Sequence, residues 1–216
     1  MQSERVALSF VRLLLAVMVC LPMACVGGPT SSSEPERLLV RKPCRLSGEP
    51  SDPLAGPPGS LVVLVFVTQD CPIANAFVPE IRRIWSRFEP AGVRFFHVQC
   101  DGRITLEAAR AHAEAYELGD RVIIDTDHVL VRRVGAEVSP EAFVLKLAAD
   151  GAEPTTLYAG RIDDRFVDFG TRRKEPTTHD LADAIERALK GTGDASPRTR
   201  AIGCYLTGLS RQDDHP

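Results

Sequence analysis

Leu61–Phe88 reads LVVLVFVTQDCPIANAFVPEIRRIWSRF, and the chain changes character within it at Cys71. Leu61–Val67 is wholly apolar, rich in β-branched residues and closed by the polar Thr-Gln-Asp, which predicts a buried strand. Pro72 then opens a helix at the position where its missing N–H costs nothing. Ile73, Phe77, Ile81, Ile84 and Trp85 follow at helical spacing. Cys71 therefore stands between a strand end and a helix start, facing unpaired N–H groups and the positive pole of the helix. Both favour the thiolate over the thiol. A buried structural cysteine is the competing assignment, since free cysteine is among the most buried residues. Strand exit, proline and helix start together favour the reactive one.

Upstream, Glu36–Leu46 reads as a short edge strand carrying Cys44. Ser47–Ser60, with four prolines and three glycines, reads as an irregular loop. Downstream, Gly92–Cys100 is expected to be a strand, Thr105–Leu118 a helix, Arg121–Asp125 a brief strand and His128–Gly135 a short helix closed by glycine. Glu141–Ala148 and Thr155–Ile162 flank DGAEP, a hairpin-type turn signal. A polar loop, DDRFVDFGTRRKEPTT, leads to a last helix over His179–Gly191. This order predicts parallel strands first and a hairpin later, in a three-layer α/β/α arrangement. Cys71 and Cys100 would both emerge at the carboxyl edge of the sheet, where such folds place functional groups.

The composition is ordinary: 216 residues, 44% hydrophobic, 25% charged, net charge -3. There is no basic excess to suggest nucleic acid, and no apolar stretch long enough for an ordinary membrane span. Arg5 and Arg12 precede the apolar run Leu13–Ala24, which predicts a secretory signal over residues 1–24. Ala24-Cys25 also resembles a lipobox, so both soluble export and membrane attachment through a lipidated Cys25 stay open. The expected organisation is then a linker and extension over 25–60, a domain over 61–191 and a tail over 192–216, in an exported protein that is periplasmic or membrane-anchored. In an oxidising compartment Cys44, Cys71, Cys100 and Cys204 can pair in three ways. No CxxC is present, so nothing points to a zinc ribbon, and neither a cofactor nor a metal is expected.

The segments VVLVFVTQDCPIAN, SPEAFVLK, YAGRIDD and HDLADAIERAL, spread over Leu61–Gly191, resemble the thioredoxin-like superfamily in its redoxin/AhpC-TSA branch. Within that branch the chain is similar to bacterial redoxin-domain proteins with a CPIAN loop, a GRIDD segment and a C-terminal Gly-Cys. The resemblance implies a thioredoxin-like sandwich with a mixed central sheet. It also implies a cis bond at Ser139-Pro140 beside the active cysteine, leaving the preceding backbone free to pair with an extended substrate.

Departures from the family pattern select the chemistry. Ala74 stands where CxxC proteins carry their second thiol. Thr68-Gln69-Asp70-Cys71 keeps the TxxC of peroxiredoxins, but Leu64 replaces their proline and Pro140 stands where their arginine is expected. That arginine would stabilise the leaving oxygen. A distant resolving thiol is therefore sought, and Cys204, in the apolar island AIGCYL of a polar tail, ranks first. Gly203 would let the backbone approach closely. A structural Cys44–Cys204 clamp and a role for Cys100 are the alternatives.

Asp70 is expected to oppose thiolate formation. His97 and His112 are expected to be satisfied structural residues, and Asp163 and Asp164 to cap a turn with Arg161 as an internal ion-pair partner. Copper-handling relatives carry CxxxC, and residue 75 is Asn. The expected site is thus Cys71, Thr68, Pro140 and Cys204. The expected function is thiol–disulfide exchange with protein thiols or disulfides, recycled by a reducing partner protein. A thiol peroxidase acting on peroxide is the second choice, and a non-catalytic or copper-handling scaffold the third.

Overall fold

In the computed structural model, described over residues 42–149, 152–192 and 198–207, Leu61–Val67 (β2) is buried along its whole length. That burial explains its unbroken apolar run, since a strand covered on both faces has no solvent side to alternate toward. All described residues lie in one compact unit, Glu34–Pro216. The other strands of the main sheet are Cys44–Arg45 (β1), Arg94–Gln99 (β3), Val122–Ile124 (β4), Glu141–Lys146 (β6) and Thr155–Gly160 (β7). They run in the order β1-β4-β3-β2-β6-β7, with β2, β3 and β4 parallel and the remaining pairings antiparallel. The sheet is therefore mixed, with its parallel part built first and its hairpin last.

Four helices cover it: Pro72–Phe88 (α1), Leu106–Ala115 (α2), Val129–Val134 (α3) and Asp180–Leu189 (α4). Val63, Val65 and Val67 face one core with Ile81 and Ile84 of α1, Ala109 and Ala113 of α2, and Leu181 and Ile185 of α4. Val62, Leu64 and Phe66 face the other, with Leu130 and Val131 of α3, Leu54 of the proline-rich loop and Leu206 of the tail. Each large side chain buried in these layers contributes about 1.5–3 kcal/mol. The result is a thioredoxin-like α/β/α sandwich whose second layer is made partly of loop and tail.

Two features depart from expectation. The segment after Ile162, expected to be a polar loop, holds a small hairpin, Phe166–Asp168 (β8) with Thr171–Arg172 (β9), turned at Gly170 where φ is 76°. A second small sheet pairs Val138–Ser139 (β5) with Cys204–Tyr205 (β10). The proposed signal and lipobox, residues 1–25, lie outside the described residues, and no described helix is long and apolar enough to cross a membrane.

Helix α3 starts unusually. His128 precedes it with φ at 55° and makes no side-chain cap. Asp125, buried at the end of β4, caps it instead, accepting from the N–H groups of Val129, Leu130 and Val131 at 2.7, 2.9 and 3.0 Å. Those three donors are orphans of the first turn. Asp125→Ala is expected to cost about 2 kcal/mol or more, because it leaves them buried and unpaired. Urea unfolding of the purified variant measures this.

Candidate functional site

Cys71 occupies the N-cap of α1, with Pro72 in the first turn behind it. Its backbone is extended, which points the sulfur back along the helix axis so that it accepts from the Ala74 N–H at 3.5 Å. The thiol also donates to the Ser139 carbonyl oxygen at 3.0 Å. The residue is buried, at only 1% exposure.

Burial is the strongest single influence on this thiol and opposes its ionisation. The Ala74 N–H, which bonds the sulfur, and after it Cys204 and the Ser139 side chain favour the thiolate, and together they outweigh burial. The Cys71 pKa is lowered as a result. Asp70 is exposed to solvent, and its charge acts on His112, which it favours in the protonated form against the effect of burial. The expected opposition from Asp70 is thus not among the leading influences on the sulfur.

The tail brings Cys204 to this point. In β10, Cys204 is registered opposite Ser139 and Tyr205 opposite Val138, and the Leu206 N–H donates to Glu137 at 2.9 Å. Upstream, the Arg198 guanidinium holds the buried Glu141 carboxylate at 2.6 and 2.9 Å and the Gly135 carbonyl at 2.8 Å. The Thr199 N–H donates to Ala159 at 3.0 Å, and its hydroxyl bonds the Tyr158 phenol at 2.7 Å and accepts from Arg161 N–H at 3.1 Å. The Cys204 thiol is pushed up to about 11, by burial first and then by the Cys71 sulfur it faces. The pair is thus unequal: of the two thiols, Cys71 is the more readily ionised.

The other cysteines are placed elsewhere. Cys44 is fully buried on β1 at the sheet edge, so the alternative Cys44–Cys204 clamp is not assembled. Cys100 packs in the opposite core from Cys71, and its sulfur donates to the Val67 carbonyl at 3.1 Å. Burial raises its pKa strongly. All four described cysteines are free thiols.

Pro140 follows a cis Ser139-Pro140 bond beside the sulfur. The Thr68 side chain bonds Ser139 rather than the Cys71 sulfur: the Ser139 Oγ accepts from the Thr68 N–H at 2.8 Å and from its hydroxyl at 3.3 Å, while the Thr68 carbonyl accepts from the Cys71 N–H at 3.2 Å. Thr68 is therefore a positioning residue. Ser139 is visible in the sequence only as the residue before Pro140, and nothing in its spacing marks its hydroxyl as a donor.

A second positioning group escapes sequence reasoning. Asn75 Nδ2 donates to the Gln69 carbonyl at 2.9 Å, fixing the loop before Cys71, while its Oδ1 lies 3.0 Å from His112 Nε2. His112 thus has a partner, but His97 corrects the expectation of a satisfied structural histidine. Neither of its ring nitrogens has a hydrogen-bond partner among the described residues, and burial lowers its pKa to about 3. Asp163 and Asp164 do close turns, Asp163 through the Arg165 N–H and Asp164 through Thr177 and Thr178. Arg161 pairs with Asp180, at 2.9 and 3.2 Å, rather than with either of them. No group of three or more His, Cys, Asp or Glu side chains converges as a metal site among the described residues.

An α/β/α sandwich with a thiol of lowered pKa at the first strand–helix junction and a cis proline beside it has the thioredoxin-like fold. Residues 53–159 match the AhpC/TSA family model. Among solved structures, a hypothetical protein from Sinorhizobium meliloti 1021 is 22% identical with a TM-score of 0.55, over 68% of this chain and 79% of that one. An uncharacterized conserved protein from Geobacillus kaustophilus is 18% identical with a TM-score of 0.56, over 68% and 77%. A secreted Mycobacterium tuberculosis disulfide oxidoreductase is 23% identical with a TM-score of 0.45, over 72% and 98%. No curated protein matches the chain.

Ser139→Ala is expected to raise the Cys71 pKa and slow its alkylation at neutral pH by about three- to tenfold, because the donor lost is one that favours the charged form. Ultraviolet thiolate absorbance against pH measures the shift. Because the folded pKa of Cys71 lies below its unfolded value, its ionisation contributes stability that is fully present above the unfolded pKa. That contribution is lost as pH falls through the folded pKa.

Proposed function

We propose that this protein is an exported thiol–disulfide oxidoreductase in which Cys71 is the nucleophile and Cys204 the resolving thiol. The observation that carries this is the register of the docked tail strand, which sets Cys204 opposite Ser139, the residue whose carbonyl holds the Cys71 thiol, so that a thiol of raised pKa stands beside one of lowered pKa.

The Cys71 thiolate attacks one sulfur of a substrate disulfide, forming a mixed disulfide and releasing the first substrate thiolate. Cys204 then loses its proton and attacks the Cys71 sulfur, releasing the second. The substrate has gained two electrons and the protein holds a Cys71–Cys204 disulfide, which a reducing partner protein returns to two thiols. The charges favour this order. While Cys71 is ionised it suppresses Cys204; once Cys71 is bonded to substrate, that suppression is gone and burial alone holds the Cys204 proton.

Export is supported by the charged and apolar pattern of residues 1–24, and Cys25 is the candidate anchor in a periplasmic or membrane-attached protein. We assign the redox domain to 61–191, with the tail 192–216 supplying Cys204.

Thiol peroxidase is the second reading, favoured by the AhpC/TSA match and by Thr68. It lacks support at the sulfur, where the donors are Ala74, Cys204 and Ser139 and none is an arginine. The two readings separate in paired assays on the reduced, purified protein. Disulfide-peptide reduction should fall at least about a hundredfold in Cys71→Ser and stall as a mixed disulfide in Cys204→Ser. Stopped-flow oxidation by peroxide should proceed at about the rate of a free thiolate. Fast peroxide oxidation with negligible disulfide exchange would replace the first reading by the second.

A further inference from the structure

Strand β10 crosses Cys71 as an antiparallel backbone partner of β5, with a cysteine lying over the thiol. Backbone pairing reads no side chains, so this edge admits any extended chain. What selects among chains is space. A Cβ added at Gly203 would run into the Ser139 carbonyl oxygen and carbon and the Pro140 nitrogen, all backbone atoms that cannot swing aside. Gly203 has no positive φ, so the position needs glycine for room rather than for conformation. The following Tyr205 is 77% exposed and imposes no such limit. Cys71, at 1% exposure, is covered while this strand is in place.

We infer that the Val138–Ser139 edge docks a polypeptide partner whose reactive cysteine follows a glycine, and that the chain's own tail holds this edge until such a partner replaces it. The inference rests on Cys71 being the exchanging thiol. The tail is then a built-in copy of the partner, with Gly203-Cys204 in the place of the partner's Gly-Cys. The anchors at Arg198 and Thr199 lie upstream of the strand, so residues 201–206 can leave the edge while the tail stays attached, at the cost of exposing Leu206 and releasing its N–H from the Glu137 carbonyl.

The test uses full-length Cys204→Ser, alone and combined with Gly203→Val, which cannot seat the tail strand. The probes are peptides Ala-Ile-Xaa-Cys-Tyr-Leu, with Xaa as Gly, Ala or Val and the cysteine disulfide-linked to thionitrobenzoate. The Cys71 thiolate attacks the peptide sulfur, the Cys71–peptide disulfide forms, and the coloured thionitrobenzoate thiolate leaves. In the double variant the Gly peptide should react about tenfold or more faster than the Ala and Val peptides, the size of one or two backbone hydrogen bonds. The same Gly peptide should react about tenfold more slowly with Cys204→Ser alone. Equal rates across Xaa would overturn the docking edge, and equal rates for the two proteins would overturn the holding by the tail. Should the double variant not fold, the ranking of Gly over Ala and Val is read on Cys204→Ser, where its absence is equally decisive. Hydroxyethyl disulfide, which has no backbone to pair, separates the failures. A Cys71 inert to it overturns the exchange reading itself, whereas a Cys71 that reacts with it but does not rank the peptides overturns only the docking edge.

Discussion

The two-residue pairing of Cys204–Tyr205 with Val138–Ser139 is the contact on which the site depends. It delivers two of the groups that favour the Cys71 thiolate, the Cys204 N–H and thiol, and it closes the sulfur off from water. Burial without those donors would raise the thiol pKa, as it does at Cys100 and Cys44 in the same fold. The strand thus both buries the sulfur and offsets the cost of burying its charge. So small a strand cannot hold itself in place, since two residues of backbone pairing contribute only about 1–2 kcal/mol. The Arg198–Glu141 ion pair, the Thr199 hydroxyl between Tyr158 and Arg161, and buried Leu206 hold its two ends.

The loss of a local second thiol therefore has a structural answer. In a CxxC loop the resolving sulfur comes one helical turn after the first, but here that turn is occupied by Ala74, whose contribution is its N–H. The second sulfur arrives from the far end of the chain, on a strand that lies flush against the body at Gly160 and Gly203. A Cβ at either glycine would run into backbone, that of Thr199 and that of Ser139. Ser139 completes the arrangement by presenting three groups: a carbonyl that accepts from the thiol, a hydroxyl that favours the thiolate, and a backbone that pairs with the tail.

Much of this arrangement is legible in the amino-acid sequence. Leu61–Val67 and Pro72–Phe88 are readable to the residue, because a strand buried on both faces and a proline-initiated amphipathic helix leave unambiguous periodicities. Cys71 is legible for the same reason, as a thiol forced to the junction of those two elements. Cys204 is legible only as an apolar island in a polar tail. Its neighbour in space can be ranked but not fixed, because a pairing across so long a stretch of chain leaves no local pattern. The roles of Ser139 and Asn75 are invisible, since a hydroxyl or an amide aimed at one atom has no periodicity. The β8–β9 hairpin is hidden by its charged, exposed residues, which read as loop composition. His97, whose ring nitrogens have no hydrogen-bond partner among the described residues, inverts a sound expectation, that a mid-strand histidine finds one.

The central claim is that the reactive sulfur of Cys71 has its redox partner in Cys204 and in no other cysteine. Non-reducing peptide mapping by mass spectrometry, after stoichiometric oxidation of the fully reduced native protein, tests it most directly. The account predicts one intramolecular disulfide, Cys71 to Cys204, with Cys44 and Cys100 recovered as free thiols. A linkage of Cys71 to Cys100, or of Cys204 to Cys44, would contradict it.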